Sequence, residues 1–132
     1  MKYLLDTNTW IALLNGTSNS VVSELKKLDK TNVFLCSIVK AELFFGALKS
    51  KQVEKNLEKL STALTHFTSL SFDDDCAFMY GLIREELERK GTPIGPNDLL
   101  IASIALVNNC ILITNNSREF SRVQGLTIQN WI

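Results

Sequence analysis

The sequence predicts an α/β domain: a three-layer α/β/α sandwich on a central, mostly parallel sheet of about five strands. Three observations predict it. Short apolar runs alternate with helical patterns along the chain, and no linker, repeat or low-complexity tract interrupts them. A length of 132 residues suits one domain spanning 1–132. Parallel neighbours also need helical crossovers, which such alternation supplies.

The elements follow in order. Tyr3-Leu4-Leu5 is an apolar run ended by polar residues, the first strand. Trp10 to Leu14 reads as helix, with Asn15-Gly16 as its stop. Val21, Val22, Leu25 and Leu28 recur at helical spacing. Val33 to Cys36 is the second strand, and Ser37 stands where it would cap a helix from Ile38 to Leu48. That helix carries Ala41, Leu43, Phe44, Phe45, Ala47 and Leu48, apolar nearly all round. This is more than one core face needs, and fits either burial against a partner or deep burial within the domain.

Lys51 to Leu64 is amphipathic, with Lys51, Lys55 and Lys59 on one face. Glu54 and Glu58 lace that helix, so the stripe reads more readily as a solvated face than as a phosphate track. Phe67 to Phe72 alternates apolar and polar residues, a third strand with one exposed side. A long helix spans about Asp75 to Arg89, and Gly91 to Pro96 is the one concentrated turn signal. Leu99 to Val107 is apolar but for one serine, a helix buried on most sides. Cys110 to Ile113 and Leu126 to Ile128 are the fourth and fifth strands.

Composition narrows the function. Lys and Arg number 14 and Asp and Glu number 14, so no uniformly basic coat exists to hold nucleic acid. A hydrophobic content of 45% argues against disorder, and no run reaches the roughly 18 apolar residues of a membrane span. Asp6 interrupts the opening apolar stretch too early for a signal peptide. Cys36 and Cys110, in apolar runs of a chain with three cysteines, read as buried reduced thiols of a cytoplasmic protein.

In open parallel sheets, ligands bind beyond the carboxyl ends of the strands. Asp6, Thr7 and Asn8 follow the first strand, and Thr114, Asn115 and Asn116 follow the fourth. Glu42 shares its helix face with Ile38, Val39, Phe45 and Gly46, and Asp98 shares its own with Ile101, Ala102 and Ala105. A carboxylate held on apolar surface is costly unless paired or bound to a cation. Each acid also has an ordinary reading: Asp6 as a helix cap, Asp98 as a favourable charge at a helix start, Glu42 as a side chain reaching solvent past a small helix face, Glu119 as a surface acid. Together they suit a hard divalent cation, Mg²⁺ or Mn²⁺. The solitary His66 excludes a two-histidine zinc site.

Four stretches carry a family resemblance: Leu4-Leu5-Asp6-Thr7-Asn8; Ser37 to Leu43 around Glu42; Gly81 to Ala102 around Asp98; and Thr114 to Phe120 with Val123, Gly125 and Trp131. Their ordered set resembles the PIN-domain family, most nearly its VapC ribonuclease toxins from bacterial type II toxin–antitoxin pairs. The resemblance implies Asp6, Glu42, Asp98 and Glu119 as catalytic, metal-binding carboxylates, with Asn8, Thr114 and Asn116 as supporting polar groups. Many PIN domains carry an aspartate where this chain has Asn115 and Asn116; resemblance to close VapC chains implies Glu119 as the acid that completes the site with Asn116 as its neutral partner, the alternative being a three-acid site with one metal. Arg84 and Arg118 are the phosphate-binding candidates.

By the same resemblance the chain is a Mg²⁺- or Mn²⁺-dependent endoribonuclease that cleaves a structured RNA such as a tRNA and inhibits translation. Its implied partners are a VapB-type antitoxin and a second copy of itself, with no membrane. A phosphoacceptor receiver fails for want of a lysine after Lys90, and a haloacid-dehalogenase-type phosphatase fails because Asn8 replaces its second aspartate. No Gly-rich turn follows any strand. The remaining rival is a non-catalytic PIN-like RNA- or protein-interaction module.

Overall fold

The computed structural model describes residues 1–132. Strand β1 (Lys2–Leu5) leads through helices α1 (Thr7–Asn15) and α2 (Asn19–Lys26) to β2 (Val33–Cys36). Helices α3 (Ser37–Lys49) and α4 (Val53–Leu64) lead to β3 (Thr68–Leu70). Then α5 (Asp74–Arg89) and α6 (Pro96–Val107) return the chain to β4 (Cys110–Ile113), and the short α7 (Ser117–Phe120) precedes β5 (Ile128–Gln129). All five strands are parallel, in the order β3-β2-β1-β4-β5.

That order fixes the layers. From β1 the chain steps outward twice to β3, then crosses back to β4 on the other side of β1. Right-handed crossovers taken in opposite directions put α1–α4 on one face and α5–α7 on the other. The direction reverses between β1 and β4, and the register Leu5↔Ile113 sets Asp6 beside Thr114 just beyond the paired strand ends. This switch point is where a ligand crevice opens in such sheets.

Every residue of β4 is buried, as are Leu4 and Leu5 of the neighbouring β1. Each such side chain contributes roughly 1.5–3 kcal/mol by leaving water. Six residues of α6 are buried against this centre, including Ser103, whose hydroxyl donates to Leu99 O at 2.7 Å. Trp10 meets Phe67 edge-on at 4.8 Å and joins α1 to the core. Cys36, Cys76 and Cys110 are all buried and free, and burial pushes the Cys36 and Cys110 thiols up to about 11. No helix is long and apolar enough to cross a membrane.

Several boundaries differ from the sequence expectation. Helix α1 starts three residues early because Asp6 caps it. Ser37 is the first residue of α3 and caps nothing; Cys36 holds the cap position without a side-chain bond. Strand β5 begins two residues late, because Gly125 takes a φ of 82° and Leu126 closes a turn onto Val123 O. Helix α7 was too short for any periodicity to reveal. Phe44, Phe45 and Leu48 of α3 are 39%, 65% and 59% exposed, so the apolar excess of that helix points outward and is not absorbed by the core.

Candidate active site

Four chain segments bring the acids to the β1–β4 switch point. Asp6 is buried, with its backbone N–H donating to Ile113 O at 2.9 Å. Its Oδ1 accepts from the Thr9 N–H at 3.0 Å, so it is both a helix cap and a residue of the crevice. Thr114 is fully buried, and its Oγ1 accepts from the Asn116 N–H at 2.9 Å. That bond turns the chain after β4 and brings the Asn116 side chain over α6.

Glu42 is half-buried on α3 and held at both oxygens. Thr7 Oγ1 donates to Oε1 at 2.5 Å, and Asn97 Nδ2 lies 3.4 Å from Oε2. Asp98 stands in the first turn of α6, where the helix dipole favours negative charge. Asn116 Nδ2 is 3.0 Å from Asp98 Oδ2 and 3.0 Å from Glu119 Oε2. Asp6, Glu42 and Asp98 line one cleft of about 400 Å³ with Thr7, Asn8, Asn115 and Asn116. Glu119 joins from α7 by contact with Asn116 and Asp98.

No ion pair neutralises this cluster. The four ion pairs of the molecule lie within α2 and its cap and within α5 and its cap, and none involves these acids. Burial, and then the neighbouring Glu119 carboxyl, push Asp98 up to about 6. Glu119 moves the other way, below the usual carboxylate range, because Asn116 and Asp98 donate to it. Apart from amide and hydroxyl neighbours, the donor set is carboxylate oxygen only. It fits a hard divalent cation, which would neutralise the charge that raises Asp98. No three of the acids already stand within coordinating reach of one point. Glu42 is held by Thr7 and Glu119 by Asn116.

A PIN-domain family model matches residues 3–126. The chain is a PIN domain. It belongs with the VapC ribonucleases: over 132 residues it is 45% identical to Ribonuclease VapC2 of Rickettsia felis, covering 99% of this chain and 98% of that protein. It is 37% identical to the tRNA(fMet)-specific endonuclease VapC of Salmonella typhimurium, again over 99% and 98% of the two chains. The crystal structure of VapBC2 from Rickettsia felis bound to a promoter DNA fragment superposes with a TM-score of 0.93 at 44% identity, covering 100% of both chains. DNA-bound VapBC from Salmonella typhimurium gives 0.92 at 37% identity, over 100% of this chain and 99% of that one.

The PIN fold thus gathers Asp6, Glu42, Asp98, Asn116 and Glu119, with Thr114 beneath them. Asn8 is at the rim, its Nδ2 3.4 Å from Asn115 Oδ1. Arg84 is not in the acidic cleft. It lies on α5, bonded to the Tyr80 hydroxyl at 3.0 Å and paired with Glu88 at 3.5 Å. Arg118 is exposed on α7 and free of any ion pair. Asp73-Asp74-Asp75 cap and open α5, away from the site.

Sequence reasoning missed three participants. Thr7 and Asn97 each neighbour a predicted acid yet bond to Glu42, a pairing that only the tertiary fold creates. Arg122 donates to Pro93 O at 2.9 Å, and its charge helps to lower Glu119. Adjacency to Asp6 and Asp98 was the one signal available for the first two; nothing pointed to Arg122.

Proposed function

We propose that this PIN-domain ribonuclease is the toxin of a toxin–antitoxin pair and cuts a structured RNA, a transfer RNA first of all. The observation that carries the reading is the cleft at the ends of β1 and β4, where Asp6, Glu42 and Asp98 meet with no ion pair to balance them. A similar chain from Salmonella is named for cleavage of tRNA(fMet). Those four acids, Glu119 included, are the residues that would hold Mg²⁺ or Mn²⁺. When bound, such an ion lowers the pKa of water and offsets charge on phosphate oxygens.

The chain's own residues do the rest. Asp6 is locked by β4 and α1, so its free oxygen keeps a fixed position. Thr7 and Asn97 hold Glu42, leaving it to orient a water by hydrogen bonding. Asn116 keeps Asp98 and Glu119 together despite their like charge. Arg118 at the rim offers a donor fork for a phosphate, softening the approach of RNA to a negative cleft.

An apolar groove of about 220 Å³ opens beside Glu42, lined by Ile11, Leu14, Leu43, Ala47 and Leu60. It suits the apolar face of an antitoxin helix, with a basic side chain reaching the acids. Complexes of similar chains are VapBC pairs. The exposed Phe44, Phe45 and Leu48 suit contact with a second copy. The 132 residues act as one domain around one 28-residue core, and the buried free thiols suit the cytoplasm.

Incubating the purified protein with total RNA, with Mg²⁺, Mn²⁺ or chelator, tests this. Cleavage is expected only with metal, and Asp98→Asn should abolish it. RNA bound but uncut under every metal condition would leave the interaction-module reading standing instead.

A further inference from the structure

Resting on the RNA-cleaving reading above, we propose that a second cleft, between α5 and the start of α6, takes one unpaired nucleobase of the RNA, with Tyr80 as its stacking surface.

The cleft measures about 210 Å³ and is walled by Tyr80, Arg84, Leu87, Ile94 and Pro96. Only the loop leading into α6 separates it from the carboxylates. On the acidic side, Asp98 Oδ2 lies 3.9 Å from where a Gly95 Cβ would stand, and Leu99 N–H donates to Gly95 O at 3.0 Å. Arg122 pins the same loop by donating to Pro93 O. On the other side, Ile94 and Pro96 line the second cleft together with Tyr80. Residues 96–99 therefore serve both clefts, Asp98 one and Pro96 and Leu99 the other. On this reading, RNA with a phosphate at the acids places a neighbouring base in the second cleft, across the start of α6.

The chemistry of the second cleft suits a base better than a phosphate. Arg84 is its one cation, and Glu88 already pairs with it at 3.5 Å while the Tyr80 hydroxyl accepts from Nη1 at 3.0 Å. That pairing lowers the attraction of the cleft for an anion. What remains is apolar wall, an aromatic ring, and a donor and an acceptor at the rim. Phe72 meets Tyr80 edge-on at 6.3 Å and 85°, which fixes the plane of the ring. A flat neutral heterocycle with polar edges matches that set, and single-stranded RNA is commonly gripped this way.

The test is binding of a single-stranded oligoribonucleotide of roughly twelve nucleotides in chelator, by fluorescence anisotropy. Tyr80→Leu keeps apolar volume and removes the ring; it should weaken binding about ten-fold, within the range for loss of one base–aromatic stack. Tyr80→Phe should stay within about two-fold. With metal, Tyr80→Leu should raise KM and leave kcat nearly unchanged, the pattern of lost uniform binding. Abasic substitution along the oligonucleotide should weaken wild-type binding at one position, and that sensitivity should vanish in Tyr80→Leu. Wild-type affinity in Tyr80→Leu overturns the base cleft while leaving metal-dependent cleavage untouched. If Tyr80→Leu does not fold, the wild-type abasic series decides: no sensitive position overturns the base cleft. Wild-type protein that neither binds nor cuts RNA overturns the ribonuclease reading itself.

Discussion

Asp98 and Glu119 accept from one and the same amide group, Asn116 Nδ2, at 3.0 Å each. Two carboxylates that share a donor are held closer than their like charges favour. The fold answers the repulsion by raising Asp98, pushed up to about 6, so that it holds a proton to higher pH than an ordinary aspartate.

The first prediction is the pH dependence of stability without metal. An unfolded aspartate titrates near 3.9. With the folded value raised, the Asp98 contribution is fully present below about 4 and is lost as pH rises through about 6. Glu119 has the opposite sign, its stabilisation lost as pH falls, because its folded value is lowered. A bound cation needs Asp98 deprotonated, so the gain in melting temperature from Mn²⁺ should be small near pH 5 and large near pH 7.5. Melting curves in chelator and in Mn²⁺ across that range check it. An equal gain at both ends would place Asp98 outside the ion's coordination.

Replacing the shared donor gives the second. Asn116→Ala leaves the two carboxyls without it and should cost about 1 kcal/mol in chelator. Asn116→Asp should cost more in chelator, since a third acid joins the pair, yet show a larger Mn²⁺ gain than wild type. Denaturant titrations of both variants with and without metal separate the two effects.

Asp6 carries two roles that substitution can split. As cap of α1 its Oδ1 accepts from the Thr9 N–H. Asparagine caps about as well as aspartate, whereas alanine loses about 1 kcal/mol. Asp6→Asn should therefore melt within a degree or two of wild type and cut no RNA, while Asp6→Ala loses both properties. Cleavage by Asp6→Asn at the wild-type rate would reduce Asp6 to a cap.

Thr7 is expected to act through Glu42 as a positioning residue. Thr7→Val removes the 2.5 Å bond to Oε1 with little change in shape, and Thr7→Ser keeps it. Partners of metal-binding carboxylates typically contribute 10–100-fold. Thr7→Val should lose about ten-fold in cleavage and in Mn²⁺ affinity, with Thr7→Ser near wild type; calorimetric metal titration reads the affinity independently of activity.

What the sequence revealed follows from the range of the interactions involved. The strands around Leu4-Leu5 and Cys110 to Ile113 were legible because those residues are apolar and buried, so strand and crevice positions followed from pattern alone. Asp6 and Asn116 were legible for the same reason: they follow those strands directly. Glu42 and Asp98 betrayed themselves by apolar neighbours on a helix face. The Thr7–Glu42 and Asn97–Glu42 bonds were not legible, since they span 35 and 55 residues and leave no local trace. Arg84 suggested a phosphate by residue type; the fold places it outside the acidic cleft, paired with Glu88 one turn away. Whether α3 was apolar for the core or for a partner could not be read from periodicity, because both demand the same residues.

The outward face of α3 yields the last prediction. Phe45 is 65% exposed and Leu48 59%, and Lys49 Nζ lies 5.8 Å from the Phe45 ring centroid, the one polar cover it has. Neither side chain is needed by the core, so Phe45→Ser should leave monomer stability within about 0.5 kcal/mol of wild type. If the face meets a second copy, light scattering should give a dimer for the wild type at micromolar concentration and a monomer for Phe45→Ser, with melting unchanged when extrapolated to low concentration. A dimer that survives Phe45→Ser and Leu48→Ser together would move the self-interface elsewhere. Exposed apolar Phe78 and Leu82 of α5 would then be the next surface to substitute.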